Sequence, residues 1–201
     1  VPETQGSQGT EVWGYTAVER PTFWFYIPYQ SASISEMEFV VNDDQDKTLY
    51  KFPVPVPPEV GIIRFQLPAM AVLEPGKMYN WFFKVRGKSS ACLTDAATTA
   101  GSLNSATAAS DLQRPVHVEG WIQRLPPDAS LTNQLQQASA QQKAALYGQH
   151  GYWYDALNAI ATEHQAKPTD PAIAADWTAL LKQGRLEKLA NQPLLGCCTV
   201  P

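Results

Sequence analysis

Three histidines, His117, His150 and His164, are the first candidates for metal or acid–base chemistry. None lies three or four residues from another, so no helical face presents two of them to one ion. Surface or core histidines are the expectation. No G-x-S-x-G elbow, H-E-x-x-H helix or Lys-containing phosphate loop occurs. Glycoside hydrolysis needs two carboxylates facing each other across a cleft. Glu38, Glu119 and Asp155 are the carboxylates set among aromatic residues, and nothing in the sequence pairs them. Glu119 is expected to pair with Arg20 or Arg124. Asn42-Asp43-Asp44-Gln45-Asp46 puts oxygens at alternate positions, as calcium loops do. It lacks the glycine of such loops and has Pro53 where the closing glutamate belongs, so a hairpin turn is expected. The chain is therefore expected not to be an enzyme, with no metal and no cofactor.

The cysteines are Cys92, Cys197 and Cys198, too few for a zinc site of four thiolates. A bond between the adjacent Cys197 and Cys198 would close a strained ring. Cys92 is therefore expected to pair with Cys197 or Cys198, leaving one thiol for a neighbouring chain. That bond closes a loop of roughly a hundred residues, worth about 4–5 kcal/mol in the chain-entropy model.

These residues must be positioned by two kinds of element. Before residue 126 the runs are β-branched, aromatic and proline-rich; after it Ala, Leu and Gln recur at helical spacing. Strands are expected over Glu11 to Val18, Thr22 to Tyr29, Glu38 to Val41, Thr48 to Phe52, Gly61 to Leu67, Met78 to Val85 and Val116 to Leu125. Short strands at turn-marked spacing predict an antiparallel β-sandwich over residues 1–125. Phe52-Pro53-Val54-Pro55-Val56-Pro57-Pro58 reads as an edge or polyproline segment. Residues 126–201 are expected to form three helices, packed on the sandwich in an α+β fold. Asp128 or Ser130 starts the first, which runs to about His150; the others are expected over Tyr152 to Gln165 and Ala172 to Ala190, with Gly184 a weak point.

Thr22 to Tyr29 has two apolar faces: Phe23, Phe25 and Ile27 on one, Trp24 and Tyr26 on the other. A free-standing sandwich strand has one wet face, so the helices are expected to cover Trp24 and Tyr26. Trp121, with Phe82, is expected on the same aromatic face. The rival expectation is an exposed platform for sugar rings or a peptide.

Ser89 to Ser110 is a long stretch of small residues between two strands, and Val1 to Thr10 is polar. Contacts from their own domain or from another chain would order both; the second makes Thr10, Ala97, Thr98, Leu103 and Ala106 candidate interface residues for a homo-oligomer or polymer.

Leu73-Glu74-Pro75-Gly76-Lys77-Met78-Tyr79-Asn80-Trp81 resembles the turn into a core strand of immunoglobulin-like and fibronectin-like domains. Ala144-Ala145-Leu146-Tyr147, Gly151-Tyr152, Ala156-Leu157, Ile160 and Pro168 resemble one tetratricopeptide (TPR) helix pair, although Glu163 and Ala140 depart from that pattern. Glu19-Arg20-Pro21-Thr22-Phe23-Trp24-Phe25-Tyr26-Ile27-Pro28-Tyr29, Val118-Glu119-Gly120-Trp121-Ile122-Gln123-Arg124 and Gly151-Tyr152-Trp153-Tyr154-Asp155-Ala156-Leu157 are similar to blocks of a cyanobacterial family known only as a domain of unknown function. That resemblance implies a secreted or envelope location and supplies no catalytic residue.

The chain has 201 residues, with Lys+Arg 15 and Asp+Glu 19 for a net charge of −4. That balance excludes a basic nucleic-acid binder and a polybasic membrane-surface protein. Hydrophobic residues at 44% exclude a disordered chain. No apolar run approaches about 18 residues, so no membrane-spanning helix is expected. Charged residues at 17% and the start Val1-Pro2-Glu3 without Met favour an extracytoplasmic protein: secreted, periplasmic or at the cell surface. The expected function is a non-enzymatic structural or interaction protein, a subunit of a homo-assembly such as an extracellular filament or envelope layer. The alternative is a glycan- or peptide-binding module that uses exposed Trp and Tyr.

Overall fold

A computed structural model describes residues 4–5, 10–88 and 115–196. The fold is mixed α+β. The strands are β1 (Thr4–Gln5), β2 (Thr10–Thr16), β3 (Thr22–Ile27), β4 (Ile34–Asn42), β5 (Thr48–Val54), β6 (Gly61–Gln66), β7 (Met78–Gly87) and β8 (Val116–Arg124). The helices are α1 (Ala129–Gln137), α2 (Ala140–Gln149), α3 (Trp153–Ala166) and α4 (Pro171–Gln183). Local chemistry sets the strand ends. Pro21 and Pro28, which have no N–H to donate, bracket β3. Between β4 and β5, the Asp43 Oδ1 accepts from the Gln45 and Lys47 amides at 3.0 and 2.9 Å, which makes this loop a turn.

Five strands form the larger sheet in the order β2-β8-β7-β4-β5, with the short β1 added beyond β2. The proline-containing β5 is the other edge. β3 and β6 form a separate two-stranded sheet. Among the described strands, pairing is antiparallel except between β2 and β8, which run parallel with Trp13 opposite Trp121. The wholly antiparallel expectation fails there for a topological reason. The chain leaves β2 for the small sheet, so no hairpin returns it, and β8 comes alongside more than a hundred residues later.

The small sheet lies on the larger one through aromatic side chains. Phe23 meets Phe39 at 4.7 Å between ring centroids, and Phe25 stacks on Phe83 at 4.1 Å. The other side of the small sheet meets the helices. Ile62 is buried with Leu157, Ile160, Trp177 and Leu181, and Trp24 and Tyr26 pack against this cluster. The result is three layers: large sheet, small sheet, helices.

The helical part has four α-helices where three were expected. Asp128 caps α1, its carboxylate accepting from the Leu131 amide at 2.8 Å, a contact worth about 1 kcal/mol. The helix expected to run on to His150 stops at Gln137. Ser139 then starts α2 with a reciprocal cap: the Gln142 amide donates to Ser139 Oγ, and the Ser139 amide donates to Gln142 Oε1. The last helix ends at Gln183 rather than Ala190, because Gly184 closes it and Arg185 turns into the left-handed region at φ 57°. A short 3-10 turn, Glu187–Leu189, follows. Among the described residues no helix is long and apolar enough to cross a membrane.

Candidate functional site

Strand β3 organises the candidate site. The Leu67 amide donates to the Pro21 carbonyl at 3.1 Å, just beyond the pair Thr22–Gln66. Bonded and non-bonded pairs alternate in an antiparallel ladder. Phe23, Phe25 and Ile27 therefore exchange backbone bonds with β6, and the N–H and C=O of Trp24 and Tyr26 point away from it. Ile62, opposite Tyr26, agrees. Its N–H donates to Pro193 O and its C=O accepts from the Leu195 N–H, both at 2.8 Å on the far side of β6.

The two edges of the small sheet thus differ. Residues 193–195 pair with the β6 edge at Ile62, where Gly61 allows close approach: a Cβ there would lie 2.8 Å from Pro193 O and from the Leu195 side chain. Among the described residues no strand pairs with the other edge of β3. Two strands cover only part of the five-stranded sheet, and a cavity of about 490 Å³ lies along the open edge. Trp81, Phe83, Val85 and Val118 contribute to it from the large sheet; Trp153, Leu157, Leu186 and Leu189 contribute from the helical side. No Asp, Glu, Lys or Arg lines it.

The first turn of α3 ties this groove to the rest of the molecule. Tyr154 is buried in the sheet core, 5.2 Å from the Phe23 ring. Its hydroxyl accepts from Trp81 Nε1 at 2.8 Å and donates to the Trp121 carbonyl at 3.1 Å. Burial pushes the phenol far above its ordinary range, so Tyr154 stays neutral. The next residue, Asp155, is 8% exposed. Its carboxylate accepts from the Ala17 amide at 2.9 Å and from the Thr16 hydroxyl. Burial outweighs those bonds and pushes it up to about 6. Asp155 also borders a second, more polar cleft of about 430 Å³, together with Arg20, Lys143, Tyr147 and Asn158. Among the described residues no three His, Cys, Asp or Glu side chains come together as metal ligands.

A family model described as Domain of Unknown Function (DUF928) matches residues 1–194. The chain belongs to the DUF928 family. The match takes in both sheets and all four helices, so the groove lies within the DUF928 domain. Comparison with curated proteins finds no match.

The DUF928 structure brings some of the sequence-derived candidates together and separates others. Trp24 and Tyr26 are half-buried side by side at the groove, and Trp24 Nε1 donates to Asn158 Oδ1 at 3.4 Å. Trp121 does not join them. It pairs with Trp13 and Asn80, while its neighbour Ile122 enters the core. Strand alternation therefore puts Trp121 on the face of the large sheet turned away from β3. The expected pairing of Glu119 with an arginine is also absent. Glu119 is exposed, and Arg124 donates to the Leu73 carbonyl at 2.7 Å instead. Glu38 pairs with Lys51 at 2.7 Å. His164 stacks on Trp177, His150 closes α2, and His117 is exposed. Thr10 is the first residue of β2, in register with Gln5. Ala97, Thr98, Leu103, Ala106, Cys92, Cys197 and Cys198 lie outside the described residues. Sequence reasoning missed the open edge of β3 because pairing partners are not written in local pattern. The strand expected to run to Tyr29 stops at Ile27, before Pro28, and nothing in the sequence marked its neighbours.

Proposed function

We propose that this is a non-enzymatic interaction protein that holds an extended, apolar polypeptide segment in the groove beside β3. The observation that carries the reading is the uncharged cavity of about 490 Å³ along a strand edge with no partner among the described residues. Its size is that of a binding cleft. The peptide reading is favoured over the glycan reading because the hydroxyls around a sugar's rim need hydrogen-bonding side chains, and no Asp, Glu, Asn, Gln, Lys or Arg lines this groove. In this reading the two sheets are an immunoglobulin-like sandwich with a short second sheet, and α2–α3 is a single TPR-like hairpin that braces it. The low charge, and the secreted or envelope location implied by the resemblance to a cyanobacterial family of unknown function, support an extracytoplasmic setting, where such a module would join partners or copies into an assembly.

A panel of uncharged, apolar ten-residue peptides on a solid support tests this. The full chain is expected to be retained at micromolar concentration. Val118→Asp should weaken retention at least tenfold while leaving the fold intact, because Val118 lines the groove and is already 51% exposed. Equal retention of the variant, or no retention of the wild-type chain, would overturn the reading.

A further inference from the structure

Resting on that reading, we infer that the partner segment binds by strand addition: it becomes the third strand of the small sheet and pairs with the N–H and C=O of Trp24 and Tyr26. The register sets these groups apart from their neighbours, since those of Phe23, Phe25 and Ile27 are used by β6. An unpaired strand edge is a template for another strand, and proteins ordinarily cover it or blunt it with charge. Here the chain covers the opposite edge at Ile62, with residues 193–195. The open edge carries no charged side chain, and the flanking Pro28 ends β3 without closing the groove.

The cavity walls specify the occupant. A strand laid beside β3 turns alternate side chains to opposite faces. One set would lie over Val12, Val116 and Val118, the large-sheet side chains of the groove that β3 leaves uncovered; the other would face Leu186, Leu189 and Trp153. Both faces are apolar, so the segment is apolar at consecutive positions, unlike the alternating pattern of a half-wet strand. With no Asp, Glu, Lys or Arg in the lining, and its one histidine, His117, exposed at the rim, a charge deep in the groove would be desolvated without a counter-charge. The occupant is therefore an uncharged, proline-free run of about five apolar residues, spanning about 17 Å; residues 1–3, 6–9, 89–114 and 197–201 contain no such run, which assigns it to a separate polypeptide. A lipid chain or small apolar molecule would satisfy the walls and leave the strand edge unused.

The probe is a synthetic peptide, Val-Ile-Val-Ile-Val flanked by Gly-Lys ends, titrated into the full chain. Two N-methylated forms accompany it, one methylated at alternate residues and one at every residue. The first can still turn its free amides to β3 and is expected to bind nearly as the parent does; the second has no amide to donate and is expected to lose at least tenfold in affinity. Amide exchange at Trp24 and Tyr26 should slow at least tenfold with the parent peptide, and Val118→Asp should abolish that protection. If both methylated forms bind like the parent, strand addition is wrong and the apolar groove survives as a binding site. If the parent does not bind, both readings fall. Self-association of the peptide-free chain that Val118→Asp abolishes would overturn the separate partner in favour of a second copy.

Discussion

A carboxylate sits where the fold would more readily take a neutral group. Asp155 is buried beside the β2–β3 connection, and burial raises it to about 6 although the Ala17 amide and the Thr16 hydroxyl both donate to it. In the unfolded chain an aspartate titrates near 3.9. Between those values the folded chain keeps a proton that the unfolded chain has released. The stability contributed by Asp155 is thus fully present below about pH 4 and is lost as pH rises through about 6, a change on the order of 3 kcal/mol. Asp155→Asn keeps an acceptor for the Ala17 amide and cannot titrate. Urea unfolding of both proteins at pH 4 and pH 7 should show the wild type losing about 2–3 kcal/mol relative to the variant at the higher pH. A constant difference, or a wild type that gains, would contradict the assignment. The sequence singled out Asp155 for its aromatic surroundings and gave no partner for it. The partners lie on a connection 138 residues away, which no local spacing encodes.

At the scale of elements, β8 and α2 make opposite demands on glycine. A Cβ on Gly120 would lie 2.6 Å from Trp81 Cζ2 and 2.7 Å from Val12 O, so β8 needs glycine where β2 and the Trp81 ring close in. Gly148, near the end of α2, has nothing within 4 Å of an added Cβ. Gly120→Ala should therefore destabilise by about 1–3 kcal/mol through overpacking. Gly148→Ala should stabilise by up to about 1 kcal/mol through helix propensity. Chemical denaturation of the two variants decides it, and equal shifts would contradict the contrast. The strands were legible because prolines, glycines and the Asp43 turn punctuate them. The break between α1 and α2 was legible in principle: Ser139 and Gln142 have capping-box spacing. It was obscured because Ala and Gln continue on both sides. The parallel β2–β8 pair was not legible, since it joins segments more than a hundred residues apart.

For the whole molecule, the two apolar faces of β3 require a third layer, and that requirement was visible in Phe23-Trp24-Phe25-Tyr26-Ile27 before any coordinate. The helices meet it through Leu157, Ile160, Trp177 and Leu181, which pack with Ile62, Trp24 and Tyr26. Tyr154 goes further and enters the core between the sheets, where it touches Phe23 and holds Trp81 and Trp121 by hydrogen bonds. Dependence should run from the helices to the sheets. Removing the sheets would wet the inner faces of α3 and α4, at about 1.5–3 kcal/mol for each large side chain exposed. Helices of 9 to 14 residues cannot make up that loss on their own. A fragment of residues 126–201 is therefore expected to show partial helicity by circular dichroism, a broad melt and poorly dispersed amide resonances. The full chain should melt in one sharp transition that carries the helical signal with it. A sharp melt with dispersed resonances from the fragment would show that the helices form a core of their own, and that Trp24, Tyr26 and Tyr154 contribute packing the helices do not need.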